Sequence, residues 1–305
     1  MALRGRLAGI GAGAVLASGT LLGAAGPATA SGGGEHYVAL GDSYTAGPLI
    51  PHHTGHPALC LRSDHNYPSL VADRIDAASF TDASCSGATT DDMTSAQNLG
   101  AGANAPQFDA LKPDTTLVTL GIGGNDIGFG SIVVTCGTLS VGDPGGAPCK
   151  KKYTAGGSDQ IADAIADTGP KITRALAGIR KRSPHARVVV VGYPRILPAT
   201  GPGCWPLVPI AAGDVRYLAK EEKRLNGMLA DRAHDAGAAY AVNYKAGHDL
   251  CEAPSDKWVE GVIPTMPAAP IHPNADGMRA VAGAVGDAVD GLPASRHVSS
   301  TSSEG

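Results

Sequence analysis

Tyr37-Val38-Ala39-Leu40-Gly41-Asp42-Ser43-Tyr44 decides how the rest of the chain is read. Its first four residues are apolar and rich enough in strand formers to make a short buried strand. The pattern then breaks at a glycine, an acid and a serine. A strand that ends this way can present the serine hydroxyl at the carboxyl edge of a sheet, where open α/β sheets bind their ligands. The plain alternative is that Asp42 and Ser43 are ordinary turn residues. The residues at the ends of the other strands separate the two readings.

Four more short apolar runs lie at residues 77–81, 115–120, 187–192 and 238–242, the fourth of the five with four consecutive valines. Helical patterns lie between or after them, at residues 67–75, 158–182, 214–236 and 274–289. In the second of these, Ile161, Ile165, Ile172, Leu176 and Ile179 recur at helical spacing, and Pro170 is expected to kink or restart the helix. In the third, Leu218, Leu225 and Leu229 share a face. Strands alternating with helices predict an α/β fold, a parallel sheet covered on both faces. Right-handed crossovers then bring the carboxyl ends of all the strands to one edge. Residues 45–64, polar and rich in proline and histidine, and residues 137–157, rich in Gly, Pro and Lys, are expected to be loops. There is no internal repeat.

The 305 residues are 43% hydrophobic and 17% charged, the balance of a folded chain. A net charge of −4 and the lack of a long basic run argue against nucleic acid as a partner. Residues 1–30 read as an export signal: Arg4 and Arg6 lead an uncharged Ala/Gly/Leu stretch, and Ala28-Thr29-Ala30 has the small-x-small pattern of a cleavage site. An anchoring helix is the rival, weakened by the Gly and Ala content. Cleavage leaves 22 basic and 28 acidic side chains, a charge of −6. The expected product is a secreted, monomeric domain at residues 31–293 with a disordered tail at 294–305 and no stable membrane insertion. Six cysteines behind an export signal read as three disulfides, with fifteen pairings possible. Sequential pairing is favoured (Cys60–Cys85, Cys136–Cys149, Cys204–Cys251), because each bond then closes a loop within the long connections. Each such loop is worth roughly 3–4 kcal/mol in the chain-entropy model.

Four segments carry chemistry. Ser43 follows the first strand, Cys85-Ser86-Gly87-Ala88-Thr89 the second, Gly121-Ile122-Gly123-Gly124-Asn125-Asp126 the third, and Ile271-His272-Pro273-Asn274 lies beyond the fifth. A serine nucleophile needs a base within hydrogen-bond reach and donors aimed at a developing oxyanion. Ser43 supplies the nucleophile and His272 the base. The backbone N–H groups of Ser43 and Gly87 and the side-chain amide of Asn125 supply the oxyanion hole. Glycine suits position 87 because it leaves room for the substrate, and the glycines before Asn125 let the backbone turn and aim its amide inwards.

The set Gly41-Asp42-Ser43, Gly87, Gly124-Asn125-Asp126 and His272-Pro273 resembles the four blocks of the SGNH hydrolases, the GDSL-type esterases and lipases, in order and spacing over residues 36–290. The cysteines and the export signal resemble the secreted actinomycete branch. The resemblance implies a flavodoxin-like α/β/α sandwich with a five-stranded parallel sheet in order 2-1-3-4-5. It also implies hydrolysis of carboxylic esters with neither cofactor nor metal. The sequence departs from the family in two places. Tyr44 stands where an apolar residue usually follows the serine. Ala269 stands three residues before the histidine, where the family usually has an Asp. A Ser–His dyad is therefore expected, with the carbonyl of Ala269 or Pro270 orienting the histidine. A distant acid, Asp249 or Asp256, is the rival.

The remaining features read plainly. His52, His53 and His56 are expected to be solvated, not a metal site, because no carboxylate completes the set. Trp205 and Trp258 are expected to pack loops or line an acyl pocket. The Gly121–Gly124 cluster lacks the lysine of a phosphate loop, and no Gly-x-Ser-x-Gly elbow occurs. The function expected is a secreted esterase or lipase that forms an acyl-enzyme on a small-molecule or lipid ester. A phospholipase A or a polysaccharide-deacetylating esterase is the alternative within enzymes. A secreted binding protein without turnover is the alternative outside them.

Overall fold

Alternation along the central strands fixes the architecture. In the computed structural model, which describes residues 34–292, five parallel strands form the main sheet. They are β1 (His36–Gly41), β2 (Ser79–Asp82), β3 (Leu117–Gly121), β4 (Arg187–Val191) and β5 (Ala239–Ala241). Their order is 2-1-3-4-5. Val38, Leu40, Val118, Leu120, Val188 and Val190 belong to the core on one face, and Tyr37, Ala39, Leu117, Val189 and Val191 to the core on the other. Both faces of these strands are buried, which is why they read as unbroken apolar runs.

Among the described residues seven α-helices occur in chain order: α1 (Ser43–Ala46), α2 (Tyr67–Arg74), α3 (Phe129–Gly142), α4 (Pro148–Tyr153), α5 (Gln160–Arg182), α6 (Ala212–Asp235) and α7 (Ala275–Asp290). Ile165, Ile172 and Leu176 of α5 and Leu225 and Leu229 of α6 fill the first core. Val71 of α2 and Met278, Val281 and Val285 of α7 fill the second. The result is a three-layer α/β/α sandwich. Register places Gly41, the last residue of β1, opposite Gly121, the last residue of β3, so the segments after both strands leave from one edge.

The structure corrects several expected boundaries. α5 runs unbroken through Pro170. The second strand lies at Ser79–Asp82, a little after the expected 77–81. Residues 137–157 are not simply a loop: α3 reaches Gly142, and α4 follows at Pro148–Tyr153. Valine, threonine and glycine are weak helix formers, which hid α3 in the sequence. Burial of Ile132, Cys136 and Ser140 along one face stabilises it. α4 has no side-chain cap of its own; the buried carboxylate of Asp214, on α6, accepts from the N–H groups of Cys149 and Lys150 at 2.9 and 2.8 Å. The sulfurs pair as Cys60–Cys85, Cys136–Cys149 and Cys204–Cys251. No helix among the described residues is long and apolar enough to cross a membrane. The expected export segment at 1–30 and the expected tail at 294–305 lie outside the described residues.

Candidate active site

Ser43 is the first residue of α1, two residues past the end of β1. The turn between them is tight. The N–H of Asp42 donates to the carbonyl of Gly121 at 3.0 Å, which ties the turn to the end of β3. A Cβ on Gly41 would overlap the hydroxyl of Thr45 and lie 2.6 Å from the carbonyl of Gly121, so the strand can enter this turn only as glycine. Asp42 caps α1, its carboxylate accepting from the N–H of Tyr44 at 2.9 Å.

The Asp42 carboxylate is buried, and burial pushes its pKa up to about 7 against the lowering effect of its hydrogen bonds. The hydroxyl of Tyr193 donates to it at 2.6 Å and accepts from the N–H of Gly124 at 2.7 Å. One tyrosine therefore joins the serine turn to the loop that carries Asn125. Tyr193 follows β4 by two residues, at the same edge of the sheet. Its place just past the end of β4, at the edge that carries the other candidate residues, is the signal that could identify it.

Asn125 donates through Nδ2 to the carbonyl of Ala88 at 2.9 Å, leaving the second amide hydrogen free to act as a donor. The neighbouring Asp126 carboxylate accepts from the N–H and the hydroxyl of Thr90 at 3.0 and 2.6 Å, with Lys171 at 3.5 Å. These contacts clamp the segment after β2 to the segment after β3 and so bring Gly87 beside Asn125. Gly87 has φ of 80°, the left-handed region that favours glycine. A Cβ there would meet only the amide of Gln97, at 3.6 Å, so backbone conformation, more than crowding by the protein, calls for glycine. Among the described residues, neither the N–H of Ser43 nor that of Gly87 has a hydrogen-bond partner.

His272 comes from the irregular segment between β5 and α7. Its Nε2 lies 2.8 Å from the hydroxyl of Ser43, and its Nδ1 lies 2.8 Å from the carbonyl of Pro270. A carbonyl can only accept, so Nδ1 carries the hydrogen and Nε2 turns its lone pair to Ser43. Of the two carbonyls expected to orient the ring, that of Ala269 instead accepts from the His272 backbone N–H at 3.2 Å. Burial holds the imidazole below its usual pKa, and the Pro270 carbonyl pulls the other way. Asp249 is spent on the N–H of Cys251 at 3.1 Å, and neither its carboxylate nor that of Asp256 bonds to His272. Ile271 has φ of 58°, a strained value for a β-branched residue. The hydroxyl of Tyr44 donates to its carbonyl at 2.6 Å. The residue that departs from the family pattern after the serine thus anchors the segment that carries the histidine.

An apolar pocket opens at Ser43 and Asn125, walled by Ile127, Phe129, Ile132, Leu197, Val208 and Leu225. Glu222 is also in the wall. Burial raises its pKa to about 8, which favours the neutral acid near pH 7. Trp205 is not among the pocket-lining residues; Trp258 stacks on His248 with ring centroids 3.7 Å apart. His53 accepts from the N–H of Leu49 at 3.0 Å and takes no part in the site.

Comparisons with known proteins bear on the family and the fold. Residues 39–280 match the model of the GDSL-like Lipase/Acylhydrolase family. The chain is 45% identical over 252 residues to Lipase 2 of Streptomyces coelicolor, covering 81% of this chain and 83% of that protein. The crystal structure of an extracellular lipase from Streptomyces rimosus superposes with a TM-score of 0.68 at 29% identity, over 83% of this chain and 99% of the other. That of phospholipase A1 from Streptomyces albidoflavus gives a TM-score of 0.66 at 28% identity, over 85% and 99%.

Proposed function

The chain belongs to the GDSL-like lipase/acylhydrolase family and is a carboxylic ester hydrolase; from that premise we propose that it is a secreted lipase working through an acyl-enzyme with a Ser43–His272 dyad. The observation that carries the reading is the 2.8 Å contact between the Ser43 hydroxyl and His272 Nε2 at the mouth of an apolar pocket.

Ser43 Oγ attacks the ester carbonyl while His272 Nε2 takes its proton. The charge that develops on the carbonyl oxygen is met by the N–H of Ser43, the N–H of Gly87 and the free amide hydrogen of Asn125. The imidazolium keeps its Nδ1–H on the Pro270 carbonyl, which holds the ring in place without a full opposing charge. His272 then protonates the leaving alcohol. In the second half-reaction it takes a proton from water, the hydroxide adds to the acyl carbonyl, and His272 returns the proton to Ser43 Oγ as the acyl–Oγ bond breaks and the acid leaves. The pocket's largely apolar wall suits a hydrocarbon acyl chain. The export pattern in residues 1–30 and the three cysteine pairs support secretion of residues 31–293.

A fluorophosphonate should label the mature protein once, at Ser43 by peptide mapping, and block turnover of p-nitrophenyl esters. Labelling elsewhere would overturn the serine assignment. The dyad is tested by Asp249→Asn and Asp256→Asn: kcat within a few-fold of wild type is expected. A drop of roughly 10⁴, as when a triad acid is neutralised, would restore the triad. The likeness to phospholipase A1 supports a second reading, which release of fatty acid from phosphatidylcholine faster than from triacylglycerol would favour. N-terminal sequencing of the protein recovered from culture medium should begin at Ser31.

A further inference from the structure

The sequence offers His52, His53 and His56 as neighbours without a carboxylate, and the fold regroups them. Residues 52–54 and 62–64 pair as a short antiparallel ribbon: Thr54 N–H donates to the carbonyl of Arg62 at 2.8 Å and Asp64 N–H to that of His52 at 3.0 Å. His52 N–H returns a bond to the Asp64 carboxylate at 3.1 Å. His65 comes next in the chain and bonds the same carboxylate through Nδ1. One ring nitrogen each from His52 and His65 and one carboxylate oxygen of Asp64 lie within 4.8 Å of one another. His53 and His56 stay outside the group.

We propose that His52, Asp64 and His65 form a binding site for a Zn²⁺-type transition metal ion. Two imidazoles and a carboxylate are a donor set for Zn²⁺, whereas Ca²⁺ and Mg²⁺ prefer oxygen alone. Ligand bonds of about 2.0–2.2 Å in tetrahedral geometry put donor atoms roughly 3.3 Å apart. His52 Nδ1 is 3.9 Å from the Asp64 carboxylate, and His65 Nδ1 is already in contact with it. The three side chains, His52, His65 and Asp64, are 83%, 54% and 43% exposed, so they can rotate to close on an ion without disturbing the core, and water completes the coordination.

The backbone beneath them is fixed. The Arg62 guanidinium donates to the carbonyls of Ser84 and His56 at 2.5 and 2.9 Å and to the side chain of Asn104 at 2.8 Å. The disulfide Cys60–Cys85 closes the same region. A site whose backbone is set before the ion arrives loses little entropy on binding.

The site also has a place in the enzyme. Ser63 N–H donates to the carbonyl of Ala46, the last residue of the helix that carries Ser43, at 2.8 Å. Ala269 N–H, in the His272 segment, donates to the carbonyl of Pro48 at 2.9 Å. An ion between His52 and His65 clips together a ribbon that touches the serine helix, while Pro48, four residues before that ribbon, holds the histidine segment. Its role is structural bracing, not chemistry at the ester, and the assignment does not rest on the hydrolase reading.

The test is calorimetric titration of tag-free mature protein with ZnCl₂. One Zn²⁺ per chain is expected, with a Kd below about 100 µM. The double variant His52→Gln/His65→Gln should weaken binding at least about tenfold, while His53→Gln and His272→Ala should each retain it. At roughly 100 times Kd, Zn²⁺ should raise the Tm of wild type by about 5 °C and leave that of the double variant unchanged. If the double variant does not fold, Asp64→Asn takes its place with the same expected loss. No saturable binding up to about 1 mM, binding that survives removal of both histidines, or equal loss in His53→Gln would each overturn the site.

Discussion

Ser43 sits where a sheet strand runs directly into a helix. His272 sits on an irregular segment more than thirty residues beyond the last strand, reached through cross-loop contacts. The serine turn is tied to the sheet by Asp42 and Tyr193, all within buried hydrogen bonds. The histidine segment is held by scattered single bonds. Tyr44 holds Ile271, Pro48 holds Ala269, and Glu260 N–H donates to the carbonyl of His272 at 2.9 Å. The serine's position is a property of the fold's centre. The histidine's position is a sum of single contacts, each of which can be removed alone. The two regions should therefore respond differently to substitution.

The largest expected effect tests whether both regions belong to one machine. Ser43→Ala and His272→Ala should each lower kcat by roughly 10⁵–10⁶, because residues that act as a unit lose nearly everything when one is removed. Melting curves should show both variants folded. Activity of Ser43→Ala above about 10⁻³ of wild type would show that the serine end does not carry the reaction.

Asn125→Ala comes next. Removing one oxyanion donor should lower kcat by roughly 10²–10³ with KM little changed, since the bond strengthens in the transition state. A KM rise with kcat intact would move Asn125 from the reacting end to substrate binding.

Tyr44→Phe isolates the histidine end, because it removes the hydroxyl bonded to Ile271 and keeps the ring. A net hydrogen bond of about 1 kcal/mol predicts a roughly five-fold fall in kcat. The fall should be confined to kcat, and fluorophosphonate should still label Ser43. An unchanged kcat would show that the remaining loop contacts suffice and would narrow the contrast between the two regions.

The smallest effect is a displacement on the pH axis. In the proposed mechanism the neutral imidazole is the base, and burial disfavours the imidazolium, so the active form should persist to lower pH. The acidic limb of kcat/KM should lie below pH 6.5, the usual histidine value, with activity lost as pH falls through it. A limb at or above about pH 7 would point to a carboxylate stabilising the imidazolium, and with it to a histidine end built like a triad.

Much of this was legible from local patterns. Short apolar runs in β1, β3 and β4 marked strands buried on both faces, and the breaks at Gly41 and Gly121 marked the shared edge. Ala269 ruled out an acid at the usual position, because a side chain's chemistry is written in the sequence. Less legible were elements whose stability comes from elsewhere. α3 has weak propensity and is held by burial of one face; the N–H groups at the start of α4 are satisfied by Asp214, on α6. Pro170 reads as a break when only its missing N–H is considered; the packing of Ile165, Ile172 and Leu176 carries α5 through it.

Local pattern alone set the layers, the choice of Ser43 as candidate nucleophile and the absence of an acid at the usual place, because apolar runs, turn chemistry and side-chain identity act over a few residues. Only the tertiary structure decided that Pro270 rather than Ala269 faces the imidazole, and that Tyr193 joins Asp42 to Gly124. It alone brought His65 and Asp64, not His53 and His56, to His52. Those choices depend on where backbone segments far apart in the chain come to rest. A difference of one or two ångströms there selects which acceptor is bonded, and no local pattern encodes it.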